Sequence, residues 1–251
     1  MARVTGRRVA LTPARRAVVE LMRLSANVPL VTVERTMDVR ALVAARLGVP
    51  TPPSWPALFL KAYAQVAARH AVLRRTYMVW PWPHFYEASV SVASVAVERE
   101  IAGEPCVVFA FVTGPDAQSL AQLHANLADA KRLPVEGMRH AARMLRTARL
   151  PWPLRGWAFR WGFHRSGHSR AKNFGTFGLT VVAGLGATLE RLVTPLTTTL
   201  SYGPVGADGR VSVRLTFDHR ALDGAPAARA LAELEAALNA LAGEVTQSPA
   251  G

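Results

Sequence analysis

Near the C-terminus the run Thr216-Phe217-Asp218-His219-Arg220-Ala221-Leu222-Asp223-Gly224 sets an imidazole between two carboxylates, side chains able to move a proton. His219 is followed four residues later by Asp-Gly, with apolar residues threaded between the polar ones. An imidazole titrates near neutrality, so it can take a proton and return it within one reaction. Asp223 is a candidate acid beside it, and Gly224 gives the chain freedom to turn tightly.

The elements on either side would position these groups. Residues 210–217 (RVSVRLTF) alternate apolar and polar as a half-buried strand does, and Pro226–Leu241 has the apolar spacing of an amphipathic helix. The histidine therefore falls where a strand ends and the chain turns into a helix. Upstream, residues 8–25 read as a helix, with Thr12 as N-cap and Pro13 at the first helical position. Residues 28–39 alternate as a strand, and Asp38 can cap a short helix Val39–Arg46. Gly48–Pro56 is a proline-rich loop, and residues 55–73 are apolar on most sides, which predicts a buried helix. Within it Lys61 is expected to snorkel to the surface and His70 to be an ordinary helix-end residue. Tyr77–Tyr86 is crowded with Trp, Pro, Tyr and Phe and reads either as an aromatic binding wall or as a wedged surface loop. Strand-like runs follow at Ala88–Arg99 and Pro105–Thr113, then a helix capped by Asp116 that runs to Lys131. Runs 174–183 and 196–205 read as buried strands. Strands and helices mix without a strict repeat, which gives one α/β domain, a mixed sheet covered by helices.

Thirty Lys and Arg against 17 Asp and Glu give a net charge of +13. That balance favours an anionic partner, such as cofactor phosphates, an acidic carrier protein, a lipid headgroup or nucleic acid. A GC-rich coding sequence would enrich arginine as well. Residues 131–172 concentrate the charge, with eleven cations from Lys131 to Lys172 against the single acid Glu136. Within it LPWPLRGWAFRWGFH sets Trp152, Trp157, Phe159, Trp161 and Phe163 among arginines. Three readings stand: an interfacial segment in lipid headgroups, a single-strand stacking surface, or a helical arm packed on protein. Nucleic acid ranks last of these. The lone Cys106 excludes an internal disulfide framework, and no Cys/His cluster has zinc spacing, so a reducing cytoplasm and no metal are expected. No apolar run reaches the length of a membrane span, which leaves at most peripheral contact through residues 150–165.

The string VRLTFDHRALDGAPAARAL resembles the catalytic motif of the dihydrolipoamide acyltransferases, the cores of 2-oxo-acid dehydrogenase complexes. These are related in fold to chloramphenicol acetyltransferase. The resemblance extends to RRVALTPARRAVVELM, WPALFLKAYAQVAAR and VVFAFVTGPDAQSLAQL, and to FGTFGLTVV, which is similar to the family's Gly-Thr-Phe-Thr-Ile-Ser strand. It runs in consistent order over about residues 7–242 of a single catalytic domain.

The resemblance implies an acyltransferase in which His219 is the general base, deprotonating a thiol or hydroxyl acceptor as it attacks a thioester. The family's oxyanion-stabilising serine corresponds to Thr180, which keeps the hydroxyl and adds a methyl. The counterpart of Asp223 holds the active-site loop through an arginine; Arg15, Arg16 and Arg23 are the candidates here. Base and oxyanion donor come from different subunits in the family, so a homotrimer is implied, or a cage of trimers. Acyl-coenzyme A or an acyl carrier would be the donor substrate; the residues that bind it are not identified. Two departures stand out. No lipoyl or peripheral subunit-binding domain precedes the catalytic domain, which implies a standalone core without its own lipoyl group, and residues 131–172 look like an insertion. The alternative is a catalytically inactive member that keeps the trimer or cage as a scaffold for partners.

Overall fold

A computed structural model describes residues 4–101 and 103–247. The first half comprises α1 (Pro13–Ser25), β1 (Leu30–Asp38), α2 (Arg40–Leu47) and α3 (Trp55–Arg69), then the hairpin β2 (Arg75–Met78) and β3 (His84–Glu87). A longer hairpin follows, β4 (Val92–Ile101) and β5 (Glu104–Thr113), and then α4 (Leu120–Arg132). The second half holds α5 (Arg139–Ala148), α6 (Trp152–His164), α7 (Gly167–Phe174), β6 (Phe177–Leu179), β7 (Thr198–Tyr202), β8 (Arg210–Asp218) and α8 (Gly224–Gln247). Six strands form one sheet in the order β1-β8-β7-β6-β4-β5. β6 pairs parallel with both of its neighbours, while the other contacts in the sheet are antiparallel.

The core lies between this sheet and a helical layer. α3 sits between α4 and α8, and α8 packs on β1 and β8. Along β8 the alternation is realised directly, since Val211, Val213, Leu215 and Phe217 are all buried. Phe59 of α3 stacks on Tyr202 of β7 with ring centroids 3.9 Å apart, and Tyr63 meets Phe177 of β6 at 4.8 Å. Each such fully buried side chain stabilises the fold by about 1.5–3 kcal/mol.

Several expectations are corrected here. Lys61 does not snorkel: its side chain is buried, and Nζ donates to the Gln118 carbonyl at 2.8 Å and to Glu244 Oε1 at 2.9 Å. Helix α4 is capped by Ser119 rather than Asp116, because Ser119 and Gln122 form a reciprocal capping box that meets two otherwise orphan N–H groups. Residues 174–183 do not form one long strand. Phe174 ends α7, Gly175 takes φ 94, and only Phe177–Leu179 pairs in the sheet. Tyr77–Tyr86 is largely the β2–β3 hairpin. Asp38 is not the N-cap of α2, a position Val39 holds without a side-chain cap; from one residue further out its carboxylate accepts the Arg40 N–H at 3.1 Å and the Arg40 guanidinium.

The basic segment 131–172 is helical and packs as an arm on α1 and β5. Leu145, Phe159 and Phe163 are buried, whereas Trp152, Trp157 and Trp161 remain 66%, 62% and 54% exposed. One side of α6 thus packs on protein and the other stays bare. Among the described residues no helix is long and apolar enough to cross a membrane.

Candidate active site

His219 stands one residue beyond β8, where the ladder ends. Asp218 still donates its N–H to the Thr197 carbonyl at 2.9 Å, and His219 donates its own to the Pro29 carbonyl at 2.9 Å. The chain then reverses: the Ala221 and Leu222 N–H groups both bond to the Asp218 carbonyl, at 2.9 and 3.1 Å. α8 follows at once. The imidazole is therefore carried on backbone that is hydrogen-bonded on both sides of it.

The ring lies edge-on to Phe217, with centroids 5.8 Å apart, and its Nδ1 is 3.4 Å from Asp223 Oδ1. A carboxylate at Nδ1 favours the tautomer with its proton there, which leaves the Nε2 lone pair to act as base. His219 is half exposed and Asp223 largely exposed, so the pair opens to solvent. None of the candidate arginines reaches Asp223 within the chain. Arg15 pairs with Glu104, Arg16 bonds to the Leu11 carbonyl, and Arg23 pairs with Glu20. Gly224 is also not a tight-turn residue: it begins α8 without a positive φ, and nothing lies within 4 Å of where a Cβ would be. The reversal comes instead from the two N–H groups that bond to Asp218.

Sequence reasoning missed the polar clamp beneath the histidine. Asp218 is fully buried, and its carboxylate takes three bonds from Arg220: backbone N–H at 3.0 Å, Nε at 2.9 Å and Nη2 at 2.8 Å. The Arg220 guanidinium lies 4.7 Å from the Tyr77 ring centroid. Arg170 of α7 is buried nearby, donates to the Tyr77 and Pro195 carbonyls at 3.0 and 2.6 Å, and stacks on Phe163 at 3.9 Å. Burial pushes its value down to about 9, while the Asp218 carboxylate pulls it upward and Arg220 opposes that pull. The Asp-His-Arg tripeptide itself was the available signal, a carboxylate and a guanidinium two residues apart around His219.

Thr180 follows β6 directly and donates its N–H to the Leu200 carbonyl at 3.1 Å. Its hydroxyl makes no hydrogen bond among the described residues. The structure does not bring it to His219. Register aligns Leu179 with Leu200, and Ser201 with Arg214, so Thr180 lies level with Arg214, five residues short of His219 and two strands away. With ordinary strand dimensions the two Cα atoms are roughly 20 Å apart.

The fold has close solved counterparts. A probable dihydrolipoamide acetyltransferase from Listeria monocytogenes superposes with TM-score 0.68 at 17% identity, covering 98% of each chain. The chain has the fold of dihydrolipoamide acetyltransferase cores. The Azotobacter vinelandii dihydrolipoamide acetyltransferase gives TM-score 0.67 at 19% identity, covering 96% of this chain and 94% of that one. In that enzyme the catalytic roles of a serine, a histidine and an asparagine four residues beyond the histidine have been investigated. His219 and Asp223 have the same separation. A pyruvate dehydrogenase complex core, described as cubic, gives 0.65 at 18% identity over 96% of this chain and 94% of that one. At a lower score, 0.50 and 13% identity over 87% of this chain and 94% of that one, a chloramphenicol acetyltransferase shares the arrangement. No protein-family model matches the sequence, and no curated protein matches it.

Proposed function

We propose that this chain is an acyltransferase that moves an acyl group from acyl-coenzyme A or an acyl carrier to a thiol or hydroxyl acceptor. The observation that supports it is His219, half exposed at the end of β8 with Asp223 at its Nδ1, set in a fold that acetyltransferases share. Nε2 takes the proton from the acceptor as its sulfur or oxygen attacks the thioester carbonyl. The tetrahedral oxyanion then needs a placed donor, which is the Thr180 hydroxyl of a neighbouring subunit. Collapse breaks the bond to the leaving thiolate, and the imidazolium returns the proton to it. No step calls for a metal or for a lipoyl group of the chain's own.

The distance between Thr180 and His219 in one chain is the reason to invoke a second subunit. A homotrimer supplies both halves three times over, and trimers joined into a cage would parallel the cubic neighbour. The test is turnover of acyl-coenzyme A with a thiol acceptor. His219→Ala is expected to lower it by about 10²–10⁴-fold, the usual contribution of a general base. Undiminished turnover in that variant would sink the mechanism. An assembled trimer that never consumes acyl-coenzyme A or acyl carrier would point to a scaffold instead.

A further inference from the structure

Helices α5 and α7 border a cleft of ≈ 700 Å³ that the acyl-transfer reading leaves unused. Arg139, Arg143 and Arg146 recur along α5 at spacings of four and three, which places them on one stripe of the helix, and Arg149 follows at its end. Lys172 of α7 completes the lining, and Glu136 is its only carboxylate. None of the five cations forms an ion pair with a described residue. Arg143 donates only to the neutral Asn173 Oδ1, at 3.1 Å. Arginines elsewhere do find carboxylates, as Arg35 finds Glu235 and Arg214 finds Glu34.

Like charges gathered around a concavity repel one another, and the concavity focuses their field. Guanidinium forks match phosphate oxygens two at a time, and the charge on the lining exceeds what one phosphate neutralises.

We propose that this cleft binds a ligand carrying two or more clustered phosphates, either a soluble phosphoester or a phosphorylated lipid headgroup. The inference does not depend on the acyl-transfer reading. The soluble probe is inorganic tripolyphosphate, titrated calorimetrically into the full chain at low salt. Arg139→Gln, Arg146→Gln and Arg149→Gln together should weaken its binding by about tenfold or more, since each removes a charge-assisted contact. All three side chains are exposed, so the variant is expected to melt like the parent.

The control removes the same charge elsewhere, with Arg7→Gln, Arg8→Gln and Arg191→Gln, all exposed and outside the cleft. It should bind tripolyphosphate as the parent does. A second arm measures flotation with phosphatidylcholine vesicles containing phosphatidylinositol bisphosphate, with and without tripolyphosphate as competitor. Flotation that the cleft variant loses and the competitor abolishes identifies a lipid headgroup as the source; tripolyphosphate binding without flotation identifies a soluble ligand. The proposal is overturned if the parent binds neither probe, or if both triple variants lose affinity equally, because net charge alone would then explain binding.

Discussion

Glu20 and Arg155, 135 residues apart in the chain, meet at 2.9 Å with side chains only 3% and 9% exposed. The pair ties α6 to α1, and Arg23 bonds to the same carboxylate oxygen from the solvent side at 2.9 Å. Removing one partner of a buried pair strands the other charge, so Glu20→Ala should cost about 3–5 kcal/mol. Replacing both, with Glu20→Leu and Arg155→Leu, should recover most of that loss. Urea midpoints of the parent, single and double variants measure the difference. An unchanged midpoint in Glu20→Ala would show that the arm is not held this way.

Two glycines around α7 have no room for a side chain. A Cβ on Gly167 would lie 1.9 Å from Tyr86 Cγ, and one on Gly175, at φ 94, would lie 3.0 Å from the Val92 carbonyl oxygen. Gly167→Ala and Gly175→Ala should each destabilise the fold by roughly 1–3 kcal/mol, the first by overpacking and the second by backbone strain as well. Gly224→Ala serves as the comparison. With open space around it, its melting temperature should match the parent's.

Asp218 is fully buried, anchors Arg220 through its carboxylate and, through its carbonyl, accepts the N–H groups that reverse the chain after His219. Asp218→Asn keeps the size and loses the charge that holds the guanidinium. If His219 acts as proposed, turnover should fall by about 100-fold through misplacement of its imidazole, with KM little changed. Equal loss in kcat and rise in KM would argue against a positioning role.

His140 and His164 both belong to the helical arm, and both are held below the ordinary histidine value. Burial is the leading cause for each. Arg143, Arg139 and Lys172 add to it at His140, where a bond to the Lys172 backbone opposes; Arg170, Arg160 and Arg220 add to it at His164. The unfolded chain therefore binds more protons than the folded one as pH falls through 6.5, the unperturbed value. Stability is complete above that pH and declines below it. Melting temperature should drop on going from about pH 7.5 to about pH 5.5, and His140→Gln with His164→Gln should flatten the slope. Carboxylates such as Glu34, held low by its hydrogen bond from Ser212, act only at more acid pH, below their usual 4.5.

Much of this architecture is legible because its signals are local. The alternation in RVSVRLTF, the apolar run WPALFLKAYAQVAAR and the Thr12-Pro13 start of α1 each describe one element from its own residues. β6 is misread because FGTFGLTVV has strand composition throughout, whereas the left-handed Gly175 and the pairing partners limit it to three residues. The clamp under His219 is hidden for a different reason. Asp218 and Arg220 are only two residues apart, but Tyr77 and Arg170 reach them solely through the folded sheet and arm. Lys61 likewise meets Glu244 across 183 residues, a pairing that no window of sequence contains.

The proposed pairing of Thr180 with the His219 of another subunit would make catalysis a property of neighbours. On that proposal a chain lacking the histidine would lend its threonine, and a chain lacking the threonine would lend its histidine. His219→Ala and Thr180→Ala proteins, each inactive alone, should therefore regain about a quarter of parental turnover when unfolded together and refolded at equal amounts, the share of interfaces that pair two intact halves. Two dead proteins would make a partly living one, and dilution below the assembly threshold would silence it again without unfolding a single chain.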